Sequence, residues 1–564
     1  MLVRRMLQGS RLLVRCKPCS RLGAQRHNSS KVVKSLLAPV AIPDVLIHEK
    51  VLQDVGNWPE HVAMECSMSG RRYTYSQLDQ MSKLVAAGFL RSGLQPGQVV
   101  SLVLPNIPEF LIAALGAFRA GLTVSTINPL YNAEEILYQL QDSDSSLVIT
   151  ISQKLADVRA AVDKVKGTKP QIGMIHGPSE ELPPGIRSFQ ELFQSSDTSA
   201  VDKVRVSRDS VALLLYSSGT TGLPKGVRLT HKSIIANLSQ VGHDDIIPAL
   251  PTTKSYQDVT ACVLPFFHVY GLVIGGLAYL ARGLKLVTLP KFEPQLFLSA
   301  FSKHKTTIAH VVPPMVQFLA NHPMVQPSHL DTLRVCTNGA AALSPTDARK
   351  LLEKKKDIII ASGYGLTESS PVITAPKNTL ADLDSVGFLI PNSEIKIIDP
   401  DKGDLLDPSK PGEICARGPQ IMDGYHKNKE ATEKTIIDGW LHTGDIGYIS
   451  QEGKLMIIDR LKELIKVKGF QVAPLELEEL LRTHPGVADV GVVGKPDSRL
   501  GETPVAFVVP KEKKPSAQEL KDLVASKVAE YKQISDIIFV DTIPKNLTGK
   551  ILRRKLKEQL PKGK

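Results

Sequence analysis

Residues 216–226 bring together the groups an anion site needs. Ser217, Ser218, Thr220 and Thr221 supply hydroxyls, Gly219, Gly222 and Gly226 let the backbone come close, and Lys225 adds a mobile positive charge. An apolar run at 211–215 leads into this stretch and reads as a buried strand. Phosphate binding where a strand opens into a loop is the chemistry expected of it. The mononucleotide-loop pattern G-x-x-x-x-G-K-[ST] is not met: counted from Gly219, Pro224 takes the second glycine position. Gly226 follows Lys225, so no hydroxyl stands ready for a metal ion.

Further sets of groups lie downstream. Gly339, Ala340 and Ala341 are small enough for a planar base to lie on the backbone. Gly363, Tyr364, Gly365, Thr367 and Glu368 place an aromatic ring, a hydroxyl and a carboxylate together, and a carboxylate oxygen is a hard ligand suited to Mg²⁺. Asp445, in Thr443-Gly444-Asp445, is an acceptor-only group suited to a pair of ribose hydroxyls. Lys550 follows Gly549 and is expected at the start of a basic helix, projecting into a cleft.

Taken together, these stretches resemble the adenylate-forming superfamily of acyl-CoA synthetases, 4-coumarate–CoA ligases and beetle luciferases. The resemblance runs in order over most of the chain from about residue 45. It rests on Ser217-Ser-Gly-Thr-Thr-Gly-Leu-Pro-Lys-Gly226, Gly363-Tyr-Gly-Leu-Thr-Glu368, Thr443-Gly-Asp445, Asp459-Arg-Leu-Lys462 and Pro544-Lys-Asn-Leu-Thr-Gly-Lys550. It implies that residues 217–222 and Lys225 grip ATP phosphates, and that Gly339, Ala340, Ala341, Gly363, Tyr364, Gly365 and Thr367 hold the nucleotide. Asp445 and Arg460 would contact ribose or phosphate, and Glu368 with Thr221 would hold Mg²⁺. Lys550 would bridge the substrate carboxylate and the nucleotide. Lys462 would be a hinge about which a small domain turns, after which Lys466 and Gln471 serve the thioester step and Lys468 and Gly469 line the CoA tunnel. His268, in Pro265-Phe-Phe-His268, aligns with an aromatic gate residue, and with Tyr270 it would face the acyl group. Asn338 and Ala342 depart from the usual form of their motif. Gly412-Glu-Ile-Cys-Ala-Arg-Gly418 resembles the second signature box of coumarate–CoA ligases and reads as structural.

The elements that must carry these groups alternate between strand and helix from residue 45 to about 380, which implies parallel sheets covered by helices. Thr74-Tyr-Ser-Gln77 and Ser516-Ala-Gln-Glu519 are capping boxes that open helices. From about residue 388 shorter strands and tighter turns take over, and a further α+β unit begins near residue 460. The fold class expected is α/β: two stacked α/β subdomains and a small β-barrel-like part in a large domain at 41–459, followed by a mobile small α+β domain at 460–564.

The chain has 564 residues, 42% of them hydrophobic, and a formal net charge of +12. Nine Lys and Arg precede Asp44, the first acidic residue, which leaves +3 for the rest of the chain. The basicity is thus local, and a nucleic-acid partner loses its support. Residues 1–40, Arg-rich, free of acid and interleaved with Leu and Ser, have the composition of a mitochondrial transit peptide with a cut between residues 26 and 35. A matrix address is expected, the alternative being cytoplasmic. Cys66, Cys262, Cys336 and Cys415 are scattered in apolar contexts and read as buried thiols. Residues 259–281 carry no charge, but Pro265, His268 and three glycines interrupt them. A buried strand, a turn and a buried helix are expected there, not a membrane span.

The activity expected is an ATP-dependent acid–CoA ligation. A fatty or aryl carboxylic acid is converted to an acyl-adenylate with release of pyrophosphate, then to an acyl-CoA with release of AMP. Partners are the acid, ATP and CoA, with Mg²⁺ as cofactor. The alternatives are a luciferase-like adenylating oxygenase and a catalytically silent ligand-binding homologue.

Overall fold

The computed structural model describes residues 31–177, 180–217, 224–378, 382–467, 470–497, 499–546 and 549–561. Two large, mainly parallel sheets form the frame. In the first, Val211–Ser217 lies beside Thr123–Thr126, then Val99–Leu102, Ser145–Ile151, Gln171–Ile175 and Arg187–Ser188. Lys225–Thr230 and Gly424–Tyr425 are added antiparallel at the other edge. The second runs Ile359–Ser362, Val335–Asn338, Ile308–Val311, Val259–Cys262, Lys285–Thr288 and Val62–Cys66, all parallel, and closes with the antiparallel Arg72–Thr74.

The helix Pro108–Arg119 packs between them, touching Thr123–Thr126 of one sheet and Val62–Cys66 of the other. Buried apolar residues occupy every face of it, from Phe110 and Leu111 to Ala117 and Phe118, as suits a helix enclosed on all sides. Burying each such Leu or Phe contributes about 1.5–3 kcal/mol. The helix Tyr75–Arg91 covers it, opened by the expected capping box between Thr74 and Gln77.

The uncharged stretch near residue 270 resolves into the strand Val259–Cys262, a turn and the π-helix Tyr270–Ala278. Among the described residues no helix is long and apolar enough to cross a membrane.

The β-rich part is a six-stranded antiparallel sheet built on Glu394–Ile398, Gly412–Arg417, Trp440–Ile449 and Leu455–Arg460. Its edge strand is Val32–Lys34, paired with Lys396, Ile395 and Glu394, and Val40 N donates to Asn392 Oδ1 at 2.9 Å. Residues 31–40, read from sequence as the end of a leader, are therefore bonded into this sheet. A leader running to residue 40 would take its edge strand with it.

The last sheet has five strands: Phe470–Val472, Ile465–Val467, Gly501–Pro510, Val487–Asp497 and the parallel Asp536–Phe539. Helices Pro474–Arg482 and Ala517–Ala525 pack over it, around Leu477, Leu481, Val490, Val508, Leu520 and Val524.

Candidate active site

Parallel strands open a crevice at their C-terminal ends. Here Val211–Ser217, Val335–Asn338 and Ile359–Ser362 end along one cleft, so Ser217, Gly339, Ala340, Gly363, Tyr364 and Gly365 line it. The loops are tied to one another. Gly363 N donates to Asn338 O at 3.0 Å, and Asn338 Nδ2 donates to Ala341 O at 2.9 Å and Ser362 Oγ at 3.1 Å. Gly365 must be glycine, because a Cβ there would sit 1.8 Å from the carbonyl oxygen of Pro371.

Asp445 is a firmly anchored carboxylate at the edge of the cleft. It lies opposite Arg460 across the antiparallel pair, with its Oδ1 3.3 Å from Arg460 Nε, and its Oδ2 accepts from Tyr364 OH at 2.7 Å. Burial pushes the Asp445 carboxyl up, and Arg460 pulls against that shift. Burial likewise lifts the Tyr364 phenol well above its ordinary value, so it stays a donor at neutral pH.

A second carboxylate, Glu368, stands in the short turn Thr367–Ser369, which also brings Thr367 to the cleft wall. Its Oε1 accepts from Ser217 Oγ at 3.2 Å and Tyr425 OH at 2.8 Å. Lys225 lies over the Tyr425 ring, 5.0 Å from its centroid. Ser217 is thus tied to Glu368 directly and Lys225 through Tyr425, a residue the sequence reading missed. Tyr425 reaches the site only because Gly424–Tyr425 pairs with Lys225–Thr230, some two hundred residues away, and its sequence context carries no signal of that.

Lys550 lines the cleft with Lys462 and Arg460. Burial, then the neighbouring cations Arg460 and Lys462, push the Lys550 ammonium down to about 8, while Glu463 and Asp445 hold it up. Burial and Arg460 lower Lys462 in the same direction. The expectation that Lys550 opens a helix is corrected: the helix is Arg553–Lys557, and Lys550 precedes it in a looped segment. That segment is pinned by Lys550 N donating to Asn546 Oδ1 at 2.9 Å. Gly549, at φ +77°, packs against Pro314.

His268 and Tyr270 also line the cleft, among the apolar residues Ile246, Ile247 and Ile274. His268 Nδ1 accepts from Tyr270 N at 3.3 Å, and burial pushes the imidazole down to about 4, so it is neutral. The Tyr270 ring lies on the backbone of Gly339, where a Cβ would be 2.6 Å from it.

Behind Tyr270 stands His310, also missed from sequence, with Nδ1 2.8 Å from Tyr270 OH and Nε2 2.6 Å from Tyr279 OH. One assignment uses every donor. Tyr279 OH donates to Nε2, Nδ1–H donates to the Tyr270 oxygen, and Tyr270 OH donates to Thr337 O at 3.3 Å.

Lys466 and Gln471 are not brought to this cleft. They face each other across the hairpin of Ile465–Val467 and Phe470–Val472, both exposed. Ser218, Gly219, Thr220, Thr221 and Gly222, and Lys468 and Gly469, which were expected to line a CoA tunnel, lie outside the described residues.

Two anchored carboxylates, Asp445 and Glu368, and four cations, Lys225, Arg460, Lys462 and Lys550, thus stand beside a neutral, largely apolar pocket, in a chain that resembles known proteins over its length. The family described as AMP-binding enzyme matches residues 52–426, and that of the AMP-binding enzyme C-terminal domain matches residues 476–550. The chain is 39% identical over 556 residues to 4-coumarate–CoA ligase 1 of Arabidopsis thaliana, covering 96% of this chain and 97% of that one. With 4-coumarate–CoA ligase 3 of Oryza sativa subsp. japonica it shares 40% identity over 502 residues, covering 88% of each. Among solved structures, ATP-bound MatB from Rhodopseudomonas palustris superposes with a TM-score of 0.81 at 25% identity, over 92% of this chain and 99% of that one. The Mycobacterium tuberculosis fatty acyl CoA synthetase superposes with a TM-score of 0.68 at 28% identity, over 91% and 98%. With matches of this length in both sequence and structure, the chain belongs to the AMP-binding enzyme family.

Proposed function

We propose that the protein is an AMP-forming acid–CoA ligase. The observation that carries this reading is the convergence of Lys550, Arg460, Tyr364 and Glu368 on one cleft beside the apolar pocket of His268 and Tyr270, with Asp445 held at its edge by Tyr364 and Arg460. Full-length relatives named as coumarate–CoA ligases and a structural neighbour named as a fatty acyl CoA synthetase support it. They favour a ligase over an adenylating oxygenase, and the intact charged groups argue against a silent homologue.

A carboxylate is a poor acylating agent because oxide would have to leave. In the first step a carboxylate oxygen attacks the α-phosphorus of ATP, the bond to the β-phosphate breaks, and pyrophosphate departs with its electron pair. In the second, the CoA sulfur attacks the acyl carbon, the acyl–phosphate bond breaks, and AMP leaves with the thiol proton lost to solvent. The acid is aryl or fatty, since the neutral His268 and its apolar surroundings suit an uncharged body.

Lys550 holds two mutually repelling anions, the carboxylate and the α-phosphate, and stabilises the charge that builds as the first bond forms. Fixed charge aimed at developing charge is commonly the largest contribution to catalysis. Asp445 accepts from the ribose hydroxyls, Tyr364 braces that carboxylate, and Ser217 and Lys225 grip the departing pyrophosphate.

Glu368 fits a magnesium ion. Among the described residues its Oε1 takes both hydrogen bonds and Oε2 takes none, and the oxygens of Glu368 and Ser217 form a hard donor set. Bound there, the ion would neutralise phosphate charge. The exposed Lys466 and Gln471 serve the second step after the unit beyond Lys462 turns. Residues upstream of Lys31 act as a mitochondrial leader.

The test is direct. Purified protein is incubated with ATP, CoA and a panel of aryl and fatty acids, and AMP and acyl-CoA are separated by chromatography. Acid-dependent, equimolar AMP and acyl-CoA are expected. ATP consumption without thioester for every acid that supports it would refute the ligase reading.

A further inference from the structure

The strand Gly412–Arg417 carries the one signature motif that the reaction above leaves without a task. Its pairing with Trp440–Ile449 is interrupted. Glu413 faces Ile446 and Cys415 faces His442, so Thr443, Gly444 and Asp445 together oppose the single residue Ile414. The three bulge out of the ladder, with Gly444 at φ +68°. A bulge of this kind turns a side chain in a new direction but strips its backbone of ladder partners.

Three of the bulge's backbone groups find new partners. Gly444 N donates to Glu413 Oε1 at 3.2 Å, Asp445 N donates to Thr443 Oγ1 at 3.1 Å, and Gly444 O accepts from Leu461 N at 2.8 Å. Thr443 Oγ1 in turn donates to Ile414 O at 2.8 Å. The other Glu413 oxygen, Oε2, lies 3.1 Å from His442 Nδ1; a carboxylate only accepts, so Nδ1 carries the proton. One buried carboxylate, 9% exposed, therefore fastens both the entry to the bulge and its apex.

Glu413, Cys415 and His442 also place their ligand atoms within 4.8 Å of one another. The hydrogen bonds already account for this cluster, since both Glu413 oxygens are engaged, one by Gly444 N and the other by His442 Nδ1.

We propose that Glu413 is a positioning residue for the nucleotide ribose, acting through the bulge that presents Asp445. The proposal rests on Asp445 being the ribose ligand. A purely structural Glu413 would lower the active fraction, and with it kcat, without touching nucleotide recognition.

The experiment compares ATP with 2′-deoxy-ATP and 3′-deoxy-ATP in acid-dependent pyrophosphate exchange, for the wild type, Glu413→Ala and Asp445→Ala. Glu413→Ala is expected to raise the KM for ATP about tenfold, the effect of one hydrogen bond lost from a bound ligand. The KM for the acid should stay unchanged and kcat should move by no more than about twofold. The preference for ATP over the deoxy nucleotides should shrink towards that of Asp445→Ala. Glu413→Gln keeps an acceptor for Gly444 N–H but sets an amide against the protonated Nδ1, so it should fall between, and it serves if the alanine variant does not fold. Full ribose discrimination in Glu413→Ala, or a fall in kcat at constant KM, would overturn the role of Glu413 while leaving Asp445 in place. A wild type indifferent to the ribose hydroxyls would overturn both.

Discussion

The ammonium of Lys550 gives the reaction a pH dependence whose sign follows from its surroundings. Burial, Arg460 and Lys462 disfavour the charged form and bring it from 10.5 to about 8, against the pull of Glu463 and Asp445. Adenylation needs the cation, so activity is full below this value and is lost as pH rises through it. The protonated fraction falls from about 90% at pH 7 to about 10% at pH 9, a roughly tenfold drop. A lysine at its ordinary value of 10.5 would still be about 97% protonated at pH 9 and would show no limb in this range. The assay is acid-dependent ATP–pyrophosphate exchange read as kcat/KM, which reports groups of the free enzyme. Two variants locate the effect. Lys550→Arg keeps a guanidinium that stays protonated, so the alkaline limb should disappear at a reduced rate. Lys550→Ala should lose about 10²–10³ in exchange, the cost of removing one preorganised donor, while still turning supplied acyl-adenylate and CoA into thioester. An alkaline limb unchanged in Lys550→Arg, or equal loss of both half-reactions in a folded Lys550→Ala, would refute the assignment.

Other outcomes follow from the same geometry. Glu368→Gln, which removes the charge beside Ser217, should raise the Mg²⁺ needed for half-maximal exchange by about tenfold or more, as a metal titration at fixed ATP would read. Lys466→Ala and Gln471→Ala, both outside the cleft, should leave exchange within about twofold and slow thioester formation from supplied acyl-adenylate by at least about tenfold in single-turnover assays. Residues 1–30 fused to a fluorescent protein should carry it to mitochondria in imaging of transfected cells. A fusion that stays cytosolic would contradict the leader.

What could be read from the sequence was what local chemistry determines. The capping boxes at Thr74 and Ser516 opened helices where expected, because N-cap bonding involves only neighbours within one turn. The strand before Ser217 and the helix Pro474–Arg482 were legible for the same reason. Contacts made across long sequence distances were not. Tyr425 joins Glu368 only through pairing with Lys225–Thr230, and His310 meets Tyr270 and Tyr279 only because the π-helix docks beside Ile308–Val311. Residues 31–40 continue the basic, acid-free composition of what precedes them, and Val32-Val33 is too short a run to mark a strand, so composition did not reveal the edge strand Val32–Lys34. The helix expected at Lys550 starts three residues later because the loop bonding of Asn546 to Lys550 holds the chain out of it.

The central claim, that this cleft activates a carboxylic acid by adenylation, is tested most directly by ATP–pyrophosphate exchange with CoA omitted. Labelled pyrophosphate should enter ATP only when a substrate acid is present, and removing that acid should stop it. Exchange absent with every aryl and fatty acid of the panel, or equal with and without acid, would contradict the account.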